Sequence, residues 1–428
     1  MKGVLAWIKS HLLIVICCVL IVVFIPTGYV VSGMFNAKVK QRAEDSFQTE
    51  QRKLRGRAKV EYNLPAVFEG EESISDSRAP NAKVTAFYER ARKERTRQVS
   101  EVVELASEFN SKGRTPLIEG VLPEPEDERD LRLVGEMAER ISGRRVGDGD
   151  LPLMREMLRA IGAGGAVRDD ALAESLSDYR EQQREKLEGE SPSGRLTPEQ
   201  EEALDADLRR RRLSAYASRA SEVLVYATPE VFQTQLPGGQ GFAPLEPDPD
   251  RREYTELDAF RWQFDLWVFE DIIHAIGRAN REATSVRDAV VKRVESVRLF
   301  AFEPSEQDGT IIGARQTHTG RKTERTNQVF DVRHAQIVAV VSAERLPAFI
   351  DALGGSNFMT VTGVRLSSVD PWADLQQGYY YGDEPVVRAE LDLECVYLRD
   401  WLVTYMPEPV RTALGVTLPE NTNDESGG

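Results

Sequence analysis

Residues 386–402, "VVRAELDLECVYLRDWL", alternate apolar and charged side chains through Val387, Ala389, Leu391, Leu393 and Cys395, against Arg388, Glu390, Asp392 and Glu394. A period of two is the mark of a strand with one dry face and one wet face. Working outward, "VRHAQIVAVVSA" and "FMTVTGVRLSSVD" read as further strands, with "AERLPAFIDALG" as a helix between them that ends at Gly354. Upstream, "EVLVYA" (222–227) and "VESVRLFAFEP" read as strands around a strong helix, "TELDAFRWQFDLWVFEDIIHAIGRANREA". Thr255 and Asp258 form a capping-box pattern at that helix start. Two successive β-α-β units follow, 221–304 and 330–403, joined by a polar connection at 305–329. The expected fold class is α+β, with C-terminal ferredoxin-like β-α-β units.

The region before these units is helical in pattern. Residues 36–112 read as a charged helical or coiled-coil stalk, with Val39, Ala43, Phe47, Leu54 and Ala58 on a loose stripe. Within it, "EGEESISDSRAPN" reads as a turn-rich patch, and Asn81 starts a second long helix to about Lys112. Residues 113–220 read as a mostly helical insertion or linker region, with Pro198 in the first turn of one helix. Its "RRRR" at 209–212 reads as one solvated helix turn. Residues 404–428 read as a largely disordered tail.

The N-terminus carries a membrane signal. Leu12 to Phe35 is a run of 24 residues without a charge, and about 20 suffice to cross a bilayer core. An uncleaved transmembrane helix at 12–35, with 1–11 as a short cytoplasmic tail, is the expectation. Lysines and arginines flank both ends of the run, so charge alone does not set sidedness. The formal net charge of −15 argues against nucleic-acid binding, which needs a clustered basic surface. Of three cysteines, two lie in the apolar run, so no disulfide scaffold is available outside it.

Catalytic motifs are not assembled. The histidines His11, His274, His318 and His334 have no metal spacing, and no G-x-S-x-G occurs. "GAGGAVRDD" (162–170) follows a helix and lacks a phosphate-binding lysine. A non-enzymatic protein without catalytic, cofactor or metal residues is the expectation. The stretch "QQGYYYGDEP" (376–385) places Tyr379, Tyr380 and Tyr381 between two strands, with Trp372 nearby. Three readings stay open: a loop whose tyrosines pack back on the sheet, a partner-binding patch, or a sugar or small-ligand shelf. Trp262, Trp267 and Phe269 widen the apolar surface of their helix beyond a usual stripe, which suits core burial or a dimer or partner helix.

Anchor, charged helix, "VRHAQIVAVVSAERLPAFIDALGGSNFMTVTGVRLSSVDP" and "PVVRAELDLECVYL" together resemble the PilO/GspM-type inner-membrane assembly proteins of type IV pilus and type II secretion systems. The resemblance implies a structural component of an inner-membrane platform, with the bulk of the chain in the periplasm. It also implies a PilN/GspL-like anchored partner and other platform subunits; a homodimer, through the wide apolar helix, is a separate expectation. A membrane-anchored envelope ligand-binding or sensor protein is the alternative.

Overall fold

A computed structural model describes residues 11–57, 59–64, 66, 72–79, 81–123, 131–143, 152–191, 194–236, 241–245, 247, 253–301 and 329–416. Most of the expected 305–329 connection, the first ten residues and the tail after 416 lie outside them. The chain divides into two units, 1–104 and 105–428.

In the first unit, α1 (Leu12–Arg57) runs without a break from the apolar stretch into the charged one, with Pro26 inside it. It is long and apolar enough to cross a membrane. The segment expected as the end of the charged stalk helix and a turn-rich patch contains two short strands. Strands β1 (Val60–Leu64) and β2 (Ile74–Arg78) pair antiparallel in register Val60↔Arg78 to Leu64↔Ile74. Aromatic packing selects this local structure: the Tyr62 ring stacks on Tyr88 at 4.8 Å, and its hydroxyl bonds Thr85 Oγ1 at 3.0 Å. Tyr88 and Thr85 belong to α2 (Ala82–Ser111), close to the bounds expected from Asn81.

The second unit takes in the end of α2 and continues with α3 (Leu131–Ser142), α4 (Leu153–Ala160), α5 (Asp169–Glu190) and α6 (Pro198–Glu222). The α6 start carries Thr197 and Gln200 in a reciprocal capping box behind Pro198. The glycine-rich stretch contributes β3 (Ala163–Gly164), a strand the helical reading of this region passed over. Only Val225–Tyr226 of the expected strand at 222–227 pairs, as β4. Strands β5 (Phe232–Gln235) and β6 (Phe242–Pro244) form a small hairpin. They precede α7 (Glu256–Ala279) and β7 (Val291–Leu299).

Then follow β8 (Phe330–Ser342), α8 (Leu346–Ser356), β9 (Met359–Ser368), α9 (Pro371–Gln376), β10 (Val386–Leu398), α10 (Arg399–Leu402) and α11 (Glu408–Leu414). The two β-α-β segments are not separate units. They share one sheet in the order β3-β4-β7-β8-β10-β9, with β5 also on β7, and one apolar core. The reason lies in β8 and β10, which pair antiparallel over thirteen positions, Leu398↔Phe330 through Val386↔Ser342, with β7 on the far side of β8. The tail expectation is corrected as well: α11 lies within 404–416, and its Val410 is buried in the core.

Ala389, Leu391, Leu393 and Cys395 are buried on the dry face of β10, as their alternation predicts. Against that face lies α7, whose Thr255–Asp258 box is formed: the Asp258 amide donates to Thr255 Oγ1, and the Thr255 amide donates to Asp258 Oδ2. Fifteen of its residues are buried. Each large apolar side chain so placed contributes on the order of 2 kcal/mol of transfer free energy. That corrects the partner-helix expectation: Trp267 and Phe269 are enclosed in the core, and Trp262 packs against Tyr254 at 5.1 Å.

Candidate docking surface

Strand β9 ends the sheet, pairing with β10 on one side and with no other described strand. Its ladder slips between Asp392 and Leu393, at a bulge where Gly363 stands opposite Asp392. A Cβ there would come within 2.8 Å of Asp392 Oδ2. Beyond the bulge, Val364 stands opposite Leu391 and Leu366 opposite Ala389. Their partners are buried, yet Val364 is 46% exposed and Leu366 55%. Directly opposed residues share a face, so the apolar side of the edge continues past its own cover.

On the wet face, one cation holds the edge. The Arg365 guanidinium donates to Glu390 Oε1 at 2.7 Å and to Asp392 at 2.8 and 3.0 Å. Those hydrogen bonds raise the arginine pKa, with Glu390 the largest cause, and Arg365 in turn holds the Glu390 carboxyl low. Arg365 is the only charge on the strand and is already neutralised. The open row of backbone donors and acceptors can therefore meet another strand without burying an unpaired charge.

Four residues after β9, Trp372 is 75% exposed on the short helix α9. The Asp370 carboxylate caps that helix, accepting from the Trp372 and Ala373 amides at 3.0 and 3.3 Å. The indole is thus presented to solvent from a fixed backbone.

The tyrosines are divided. Tyr381 is 5% exposed, and its hydroxyl donates to Asp374 Oδ2 at 2.8 Å. Its ring stacks parallel to Tyr379 at 6.5 Å, and the Tyr226 ring stands edge-on to both. The Arg293 guanidinium lies 3.7 Å over the Tyr379 ring and 3.3 Å from Asp374. Burial raises the hydroxyl pKa of Tyr381 and pushes that of Tyr226 up to about 12. Tyr381 is therefore a plug over one end of the sheet and not a contact surface. Tyr379 and Tyr380 are half-buried.

The next residues pin the loop. Gly382 has φ +82 against Arg287, a conformation suited to glycine. Glu384 accepts from Arg345 at 2.6 Å and lies 3.2 Å from Lys292 Nζ. Burial raises the Glu384 pKa, but the hydrogen bonds from Arg345 and Lys292 outweigh it, so the net shift is downward. Lys292 is fully buried, with its ammonium also on the Val286 and Arg287 carbonyls at 3.1 and 2.9 Å. Burial lowers its pKa.

Sequence reasoning missed the polar joint at the end of α2. Asp271 Oδ1 accepts from Lys112 Nζ at 2.7 Å and from Arg114, while Oδ2 accepts from Asn357 at 2.7 Å and Tyr397 at 2.8 Å. Burial raises the Tyr397 pKa strongly. A buried carboxylate so fully bonded fixes its neighbours. The only signal was an aspartate inside an apolar helix stretch.

Among the described residues no group of His, Cys, Asp and Glu is placed to hold a metal ion.

No family model and no curated protein matches the chain. Two solved structures are similar to it at low overlap. The type 4 fimbrial biogenesis protein PilO from Pseudomonas aeruginosa is 13% identical with a TM-score of 0.18, the match covering 51% of this chain and 97% of that chain. A structure from Akkermansia muciniphila is 9% identical with a TM-score of 0.21, covering 63% and 95%.

Proposed function

We propose that this chain is a non-enzymatic structural component of an inner-membrane platform of the type IV pilus or type II secretion kind. In this reading α1 spans the bilayer once, the C-terminal bulk lies in the periplasm, and the α+β unit docks on a PilN/GspL-like anchored partner. The order β7-β8-β10-β9, with α8 crossing over β10, supports a ferredoxin-like unit in which the first strand fills the slot of the last.

The carrying observation is the free ten-residue edge of β9, with Val364, Leu366 and Trp372 exposed along and just beyond it. Natural sheets protect such edges with charge, proline or cover, and here the one charge is used internally. Backbone pairing supplies direction, and two or three apolar anchors supply selectivity. Tethering both proteins in one membrane raises their effective concentration, so modest contacts suffice.

The test is co-expression of the full chain with a PilN/GspL-like protein, followed by isolation of the membrane complex. Val364→Lys with Leu366→Lys is expected to abolish co-isolation, and Trp372→Ala to weaken it. Unchanged co-isolation from all three would remove the sheet edge as the docking surface. Protease digestion of spheroplasts is expected to degrade the region after α1, and full protection would overturn the sidedness.

A further inference from the structure

The basic residues that follow the apolar half of α1 have no part in the docking surface above. Residues 36–57 carry seven lysines and arginines against three carboxylates, in a chain whose net charge is −15. Lys38, Lys40 and Arg42 come first, and no acid precedes Glu44 in the chain. All three are exposed, and among the described residues none makes an ion pair. The pair within α1 is Lys53–Glu50, at 3.1 Å and farther along.

Helix length sets where these cations stand. Leu12 to Phe35 measures about 35 Å at 1.5 Å per residue, longer than a hydrocarbon core of about 30 Å, so a helix seated there tilts. Lys38, Lys40 and Arg42 then lie about 5, 8 and 11 Å along the axis past Phe35. The headgroup layer is roughly 6 Å deep, and long basic side chains reach back towards it. Arg52, Lys53, Arg55 and Arg57 begin about 25 Å past Phe35, well beyond a screening length of about 8 Å.

Topology gives no reason for the near group. Cations mark the cytoplasmic flank of a span, whereas 36–57 follows the span on the side proposed above as periplasmic. The three also encircle the helix. Lys38 and Arg42, four apart, share a face, while Lys40 stands roughly half a turn round from both. A protein partner lies against one face of a helix; lipid surrounds it.

We propose that Lys38, Lys40 and Arg42 form a collar that selects anionic phospholipid, binding the net negative headgroups at that end of α1. This rests on α1 spanning the bilayer, as proposed above. Each lysine or arginine held at an anionic surface strengthens the contact about fivefold.

The experiment reconstitutes the full-length chain in phosphatidylcholine vesicles with a trace of spin-labelled phosphatidylglycerol or spin-labelled phosphatidylcholine. The motionally restricted fraction of each label reports how often that lipid sits against the protein. Wild type is expected to favour phosphatidylglycerol about threefold, averaged over the lipid shell. Salt of about 0.5 M, where the screening length is roughly 4 Å, is expected to reduce that preference. Lys38→Gln with Lys40→Gln and Arg42→Gln is expected to lose about half of it or more. Lys2 and Lys9, before the apolar run, account for the rest. Arg52→Gln with Lys53→Gln, Arg55→Gln and Arg57→Gln removes more charge and is expected to keep the preference. Wild-type preference in the near variant, or an equal loss in the far one, overturns the collar while leaving the span. No restricted fraction for either label would mean that α1 does not span, and would overturn both. Glutamine is a good helix former, so helix content by circular dichroism is expected to be unchanged in both variants.

Discussion

Asn110 completes the hydrogen-bond ladder at Val396: its Nδ2 donates to the Val396 carbonyl oxygen at 2.8 Å, while its Oδ1 accepts from the Leu398 amide at 2.7 Å. Strand β9 begins at Met359, whose partner on β10 is Cys395, so β10 beyond that point needs another neighbour. A side-chain amide at the end of α2 takes the place of the missing strand. The same amide meets Asn357 Oδ1 at 2.7 Å, and Trp401 Nε1 donates to Asn110 Oδ1 at 2.8 Å.

Asn110→Ala therefore orphans several buried groups at once. We expect a loss of about 3 kcal/mol of stability, measured by chemical denaturation in detergent. A loss below about 1 kcal/mol would mean that the joint relaxes without it.

Tyr381 separates packing from hydrogen bonding. Tyr381→Phe leaves Asp374 with Arg293 and is expected to cost about 1 kcal/mol. Tyr381→Ser also opens a cavity beside Tyr226 and is expected to cost about 3 kcal/mol or more. Replacing the whole tyrosine run with serine then reports on folding before it reports on any partner. Equal midpoints for the two single variants would contradict the placement.

Asp288 sets an acid limb. Burial raises its pKa, but hydrogen bonds from the Thr284 and Ser285 amides and hydroxyls outweigh that and bring it from 3.8 down to about 2. A folded pKa below the unfolded one gives stability that is present above about pH 4 and lost as pH falls toward 2. Asp288→Asn is expected to flatten that part of the stability–pH curve. A curve with the wild-type slope would exclude Asp288 as its source.

Gly363 and Asp392 share one space at the bulge. Gly363→Ala forces the Asp392 carboxylate aside, away from the Arg365 fork, and is expected to speed amide exchange along β9 while sparing β8. Exchange unchanged on β9 would show that the bulge tolerates a Cβ.

The dry face of β10 was legible because Ala389, Leu391, Leu393 and Cys395 repeat at the period of a strand, and the cap of α7 because Thr255 and Asp258 sit three apart. The union of the two β-α-β segments was not. Whether β7 pairs with β8 depends on contacts across residues 300–329, and no local pattern encodes them. The strands at 60–64 and 74–78 lay hidden in charged sequence, since their cover comes from Tyr88 on a later helix. The proposed docking edge was half visible. Trp372 stood out by type, whereas Val364 and Leu366 resemble ordinary strand residues until the sheet order leaves them at its rim. Tyr381 misled for the converse reason: a tyrosine is equally at home in a plug and in a patch.

The three cysteines have a practical bearing. Cys17 and Cys18 sit in the apolar half of α1, and Cys395 is enclosed in the sheet, where burial holds its thiol well above the usual range. With α1 in a bilayer, as proposed, Cys17 and Cys18 are shielded by lipid, and maleimide in water is expected to find almost nothing to react with. A single cysteine introduced at Ser367 would then carry a spectroscopic probe on the rim, with little background label elsewhere.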